Sequence, residues 1–207
     1  DRNELLIETI VSVQEQTVGP DEILIINNGK GRVSLADNLK NKVKVWDIMP
    51  YAGSVQARNF GASLAQGDYL AFLDDDDLWS KDYLKKALEA IKQGKTCIVS
   101  RLDKLENNKV SSYKNPKDNV SIKSFLTNNP GITGSNVVIA KDIFFKVGGF
   151  DPKLPPAEDK GLVLDLLKKD CAITVLPDNQ VIIRKHQGGH LSGNKRMPEG
   201  IFQFIRK

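Results

Sequence analysis

The sequence predicts an α/β sandwich with a largely parallel sheet. Short, apolar, β-branched runs alternate with stretches of helical apolar spacing. Polar or glycine-rich clusters close most of the apolar runs. Together these observations describe successive β-α-β units. The right-handed crossover rule then puts helices on both faces of the sheet. A chain of 207 residues is long enough for one sizeable domain with a core of its own.

The elements follow in order. Apolar residues at helical spacing predict an amphipathic helix over Leu5 to Gln14. The run Glu22 to Ile26 (EILII) reads as a buried strand closed by Asn27, Asn28 and Gly29. Val43 to Trp46 reads as a second strand. Ser54 to Ala65 reads as a helix with Gly53 before it and Gly67 after it. Tyr69 to Leu73 is a third strand. Lys81 to Lys92 is a helix with Ser80 placed to cap it, and Thr96 to Ser100 a fourth strand. Leu102 to Asp118 is polar and reads as a hairpin or surface loop. Apolar periodicity returns over Val120 to Leu126. A strand is expected at Asn136 to Ala140 and a short helix at Lys141 to Val147, ended by Gly148 and Gly149. A helix over Asp159 to Lys169 and two strands, Ala172 to Val175 and Gln180 to Arg184, complete the pattern. Because the pattern opens on a helix, a first strand is expected upstream and missing from this chain. No internal repeat or low-complexity segment is visible.

Composition excludes several classes. Hydrophobic residues make up 40% and charged residues 27%, which is ordinary for a globular protein. No apolar stretch approaches the ~20 residues that span a bilayer, and no signal peptide is visible. A net charge of +4 fits an anionic ligand or a weak preference for membrane surfaces. It falls far short of the basic stripe of a nucleic-acid binder. Cys97 and Cys171, distant in sequence and set among apolar residues, read as buried thiols in a reducing compartment rather than a disulfide or zinc framework.

The stretch YLAFLDDDDLW places four aspartates, Asp74 to Asp77, at the end of a strand. In open α/β sheets, ligands bind at the carboxyl ends of the strands. Asn27 and Asn28 stand at another such end, so the two mark one crevice. Packed carboxylates raise each other's pKa unless a cation holds them. Hard cations such as Mg²⁺ or Mn²⁺ take carboxylate oxygens and keep positions open for phosphate. A solvated acidic turn is the plainer alternative. Nearby, Arg58 at a helix start is suited to phosphate or a base edge.

Taken in order, "SVQEQT", "INNG", "ARNFGASLAQGDYLAFLDDDDLW", "GSNVVIAKDIFFKVGGFDPKLPPAED" and "RKHQGGH" resemble nucleotide-sugar-dependent glycosyltransferases of family 2, which have the GT-A fold. The resemblance covers roughly residues 1 to 192. It implies one domain over 1–207, with a nucleotide-binding half (1–101) and an acceptor-binding half (102–207). It also implies inverting transfer from a nucleoside-diphosphate sugar, a UDP-sugar first, to a saccharide or lipid-linked acceptor, dependent on Mn²⁺ or Mg²⁺. A place in the cytoplasm, at the inner face of the membrane, goes with that chemistry.

The resemblance also implies roles. Asp76 would bind the metal, and Asp74 the ribose or the metal. Asp75 would face the nucleotide, and Asp77 would cap the next helix. Arg58 would hold the nucleotide, while Asn59 fixes local backbone and Trp79 packs. Asp159 would be the general base, with Glu158 orienting it or binding acceptor. His186 would complete the metal site. Arg184, His190 and Ser192 lie in a glycine-rich segment suited to closing over a diphosphate. Acceptor contacts are expected from Pro130 to Ser135 and Leu154 to Ala157. The terminal EGIFQFIRK reads as a packing helix or a membrane contact.

Two departures stand out. Asn27-Asn28-Gly29-Lys30 replaces the family's Asp-Asp-Gly-Ser, so the base-facing position accepts a hydrogen bond without a negative charge. Lys160-Gly161 stands where the family has a tryptophan. Two rival readings remain at this point: a catalytically silent sugar-nucleotide or glycan-binding domain, and a nucleotidyltransferase. The second usually needs a glycine-rich phosphate loop that is not visible here.

Overall fold

The structure is a computed structural model that describes residues 2–40, 42–113, 115–116, 118, 120–127, 131–154 and 157–185. His186, His190, Ser192 and EGIFQFIRK lie outside the described residues. Helix α1 (Arg2–Gln14) opens the chain, followed by strands β1 (Ile23–Asn27) and β2 (Val43–Asp47) and helix α2 (Ser54–Leu64). Next come β3 (Tyr69–Ala71), β4 (Leu78–Trp79), α3 (Tyr83–Lys92) and the long β5 (Cys97–Glu106). After these follow β6 (Lys109–Ser112), α4 (Ile122–Thr127), β7 (Val137–Ala140) and α5 (Lys141–Val147). Helix α6 (Glu158–Lys168) and β8 (Thr174–Arg184) complete the set.

Strands β1 and β2 form a two-stranded parallel sheet. A six-stranded sheet runs β3-β7-β5-β8-β4, with β6 on β5. Its β5–β8 pair is parallel and its other pairs are antiparallel, so the sheet is mixed. Strand-helix alternation in a sequence reports the elements and not the direction of each partner. β5 extends six residues past the expected end at Ser100 and turns at Asn107-Asn108 into β6, making the polar stretch a hairpin.

Two other expectations are corrected. The pair of strands predicted after α6 is one strand: β8 continues through Pro177-Asp178, and its register against β5 shifts there. The turn-forming residues mark an irregularity rather than a chain reversal. Ser80 does not cap α3 through its side chain. The helix starts at Tyr83, and its Leu84 N–H is taken by Gln16 Oε1 at 2.9 Å. A tertiary contact from the end of α1 thus meets the need that a local cap would have met.

The core lies on both faces of the sheet, as strand alternation requires. Cys97 and Val99 of β5, with Val137 and Ile139 of β7, face an aromatic cluster of Phe72, Phe144 and Phe150 under α2, α5 and α6. Ile98, Leu102 and Val138 face the other way, onto Trp79, Tyr83 and α1's Val13. Cys97 is buried, but Cys171 is only partly so, which corrects the reading of both as core thiols. No helix among the described residues is long and apolar enough to cross a membrane.

Candidate active site

The aspartates follow β3, where the chain leaves the sheet. Asp77 N–H bonds Asp74 O at 3.2 Å, folding the run into a tight turn. Helix α1 holds that turn from outside: Thr9 Oγ1 donates to Asp77 O at 2.8 Å and Asp75 O at 3.2 Å. Arg2, at the start of α1, grips Asp75 through Nε (2.9 Å) and a terminal nitrogen (2.6 Å). A fork geometry of this kind suits a carboxylate.

Asp77 does not cap α3. Its side chain turns inward and is 4% exposed, because two donors wait there. Ser135 Oγ donates to Asp77 Oδ2 at 2.5 Å, and the Arg184 backbone N–H donates to Oδ1 at 3.0 Å. Burial, then the charges of Asp74 and Asp76, push the Asp77 carboxyl up to about 8 against those hydrogen bonds. Oxygens of Asp74, Asp76 and Asp77 lie within 4.8 Å of one another. This crowded, oxygen-only donor set, strained by its own charge, fits a hard divalent cation.

Arg58 connects the run to the other acids. It sits one turn after Ser54 on α2, so both face the same way. Its guanidinium donates to Asp74 Oδ1 and, at 2.7 Å, to Glu158 Oε1, which also accepts from Ser54 Oγ at 3.3 Å. Those carboxylates raise the Arg58 pKa despite the burial that opposes its charge. Glu158 Oε2 is buried with no hydrogen-bond partner. Asp159, next on α6, accepts from Lys160 N–H at 2.7 Å. Burial, then the charge of Glu158, push its carboxyl up to about 7.

Other expected residues take varied places. Asn59 exchanges two hydrogen bonds with the Phe150 backbone, at 2.8 and 3.0 Å, and so fixes the chain after α5. Gly149 there has φ of 70°, and a Cβ on it would lie 2.9 Å from Asn59 Oδ1. Trp79 packs on Tyr83 and donates to Ser135 O at 3.0 Å. Asn27 is engaged by its own turn: Oδ1 takes Gly29 N–H at 3.0 Å, and Nδ2 donates to Gly31 O and Asp47. Asn28 O accepts Tyr51 N–H at 2.7 Å, tying the end of β1 to the loop that leads into α2. Arg184 donates to Glu8 of α1 while its other terminal nitrogen is buried without a partner. Thus Arg58, Asp74, Asp76, Glu158 and Asp159 come together, while the Asp75 carboxylate turns to Arg2 and the Arg184 guanidinium to Glu8. Asn27 and Asn28 sit one loop away, and His186 lies outside the described residues. Of the Pro130 to Ser135 stretch, expected to meet an acceptor, residues 131–135 are described and largely buried, and Ser135 backs the aspartates.

Sequence reasoning missed Thr9 and Ser54, and placed Gly134 and Ser135 in an acceptor-contacting stretch without their contacts to Arg58 and the aspartates. Only Ser135 carried a signal, as a polar residue directly before the apolar strand in GSNVVIA.

The Glycosyl transferase family 2 model matches residues 1–149, which hold the aspartate turn and Arg58. The chain belongs to glycosyl transferase family 2. Among curated relatives of this family 2 chain is an uncharacterized glycosyltransferase of Haemophilus influenzae, 29% identical over 76% of this chain and 56% of the relative. Another is the putative teichuronic acid biosynthesis glycosyltransferase TuaG of Bacillus subtilis, 31% identical over 45% of this chain and 38% of the relative. The chain therefore spans about half the length of these relatives or less. Among solved structures, S. aureus TarS 1–349 in complex with UDP-GlcNAc superposes with a TM-score of 0.78 at 19% identity, covering 99% of this chain and 62% of that one. That likeness shows the fold, which is of the GT-A type.

Proposed function

We propose that the chain carries out inverting sugar transfer from a nucleoside-diphosphate sugar, a UDP-sugar, to a saccharide or lipid-linked hydroxyl. The observation that carries this reading is the junction of the aspartate turn with Glu158-Asp159 through Arg58. It sets a cation-fitting acid cluster beside a carboxyl poised near neutral pH. The donor would lie against residues 1–101 and meet Asn28 and Asp74, with Asp75 and Arg184 reaching it by exchanging their Arg2 and Glu8 partners. The acceptor comes from the side of residues 102–207. Asp159 takes the proton of the acceptor hydroxyl as that oxygen bonds the anomeric carbon. The bond from that carbon to the diphosphate oxygen breaks with its electron pair, and the anomeric configuration inverts. A base so placed contributes ~10²–10⁴-fold. Glu158, held by Arg58 and Ser54, orients the base beside it. Mn²⁺ or Mg²⁺ held by Asp74 and Asp76 would offset charge on the departing nucleoside diphosphate. Relatives named for teichuronic acid and amylovoran biosynthesis support an acceptor of the polysaccharide class.

Calorimetry with UDP, GDP and other nucleoside diphosphates, with and without Mn²⁺, tests this reading, followed by a screen of nucleotide sugars for transfer. Metal-dependent binding of one nucleotide, and turnover lost in Asp159→Asn with binding kept, is the expected result. No metal-dependent binding of any nucleotide overturns it, as does turnover unchanged in Asp159→Asn.

A further inference from the structure

Arg58 is enclosed in a way that a ligand-binding arginine need not be. Its side chain is only 12% exposed. One terminal nitrogen is taken by Asp74 and the other by Glu158, residues 16 and 100 positions away in sequence. The ring of Phe150 lies 5.5 Å from Cζ, and the backbone of Phe150 is held by Asn59, the next residue on α2. Gly134 lies against the guanidinium: a Cβ there would stand 2.5 Å from Cζ and 2.9 Å from Nε. The fold has left out a side chain at 134 where the arginine sits.

We infer that Arg58 is a positioning residue, seated on Gly134, that fixes the acceptor-side carboxylate Glu158 against the donor-side carboxylate Asp74. This rests on the transfer reading above and replaces the expectation that Arg58 holds the nucleotide. One planar head with two terminal nitrogens spans two carboxylates, and a lysine ammonium cannot reproduce that span. Ser54 reinforces the same oxygen of Glu158, leaving Oε2 as the atom not yet used. A displacement of about 1 Å at such a junction costs up to ~10²-fold in rate.

The test compares wild type with Gly134→Ala, Arg58→Lys and Ser54→Ala in the full chain, reading the affinity for UDP with Mn²⁺ by calorimetry and kcat for transfer. Gly134→Ala displaces a flexible side chain rather than backbone, so the melting midpoint reports whether it folds; Ser54→Ala serves if it does not. The expected result is a kcat lowered ~10–100-fold in Gly134→Ala and Arg58→Lys, a smaller loss in Ser54→Ala, and in each a UDP affinity that changes less than kcat, Asp74 being shared with the donor. UDP affinity weakened ~10-fold or more with kcat unchanged would return Arg58 to the nucleotide and overturn the assignment. So would full activity in Gly134→Ala. A wild-type chain that binds no UDP fails the transfer reading itself, a result separate from any difference among the variants.

Discussion

Lowering the pH should switch the transfer step off far above the range of an ordinary aspartate. Asp159 is pushed up to about 7, by burial first and then by Glu158, with Arg58 and the Lys160 N–H pulling the other way. With its carboxyl at that value, the ionised fraction is about 0.9 at pH 8 and about 0.1 at pH 6, a roughly tenfold fall. An aspartate at its reference value of about 3.9 would stay ionised across that interval. The assay is single-turnover transfer with donor and Mn²⁺ saturating, so that pH effects on binding drop out. The rate should fall tenfold per pH unit on the acid side of about 7. In Asp159→Asn it should drop ~10²–10⁴-fold and lose that limb. A wild-type profile flat down to pH 5 would refute the assignment of Asp159 as base. Stability provides a second check, with its sign fixed by linkage. The folded-state pKa is raised, so this carboxyl's contribution is fully present below about 3.8 and lost as pH rises through about 7. Asp159→Asn should therefore melt higher than wild type at pH 8, by ~2–4 °C if about 1 kcal/mol is relieved.

Phe144 has no exposed surface and meets the rings of Phe72 and Phe150 at 5.3 and 5.4 Å between centroids, so Phe144→Ala should cost ~3–5 kcal/mol in urea unfolding. A loss under about 1 kcal/mol would mean that this cluster is not the core of its face. Ser135→Ala removes a donor from the buried Asp77 carboxylate and an acceptor from Asp74 N–H; it should cost ~1.5–3 kcal/mol, and Ser135→Thr should restore part of that. The deficit should grow as pH rises toward and past about 8, because Asp77 then carries its charge without the hydroxyl; denaturant melts at pH 6 and 9 would show it.

What was legible in the sequence was local. The helix Lys141 to Val147 matched to the residue, since αL Gly148 stops it and apolar spacing defines it. The aspartate run was placed correctly at a strand end. The errors came where distant chain decides. Asp77 read as a helix-side acid because nothing within ten residues shows that Ser135 and the Arg184 N–H await it, 58 and 107 positions on. Pro177-Asp178 reads as a turn in isolation, yet pairing with β5 carries the strand through it. Asn27 read as an open acceptor; its carboxamide oxygen is used by its own turn, which a sequence of Asn-Asn-Gly permits but does not require.

The four aspartates cannot hold their arrangement by local forces, since adjacent like charges repel. Three of them are restrained by different parts of the fold. Asp74 is held by Arg58 of α2, Asp75 by Arg2 of α1, and Asp77 by Ser135 ahead of β7 and the Arg184 backbone of β8. The turn's own carbonyls are held by Thr9. The geometry of the turn therefore depends on whether α1, α2, β7 and β8 have met. Opening any one of them should loosen the acids before it unfolds the core. This also bears on the division of the chain. Residues 1–101 contain all four acids, but they lack Ser135, Glu158 and Arg184. In that half alone, Asp77 would lose both of its donors and Arg58 one of its two carboxylates. The aspartate turn is thus completed by residues beyond 101: Ser135 and the Arg184 backbone hold Asp77, and Arg58, seated on Gly134, joins Asp74 to Glu158.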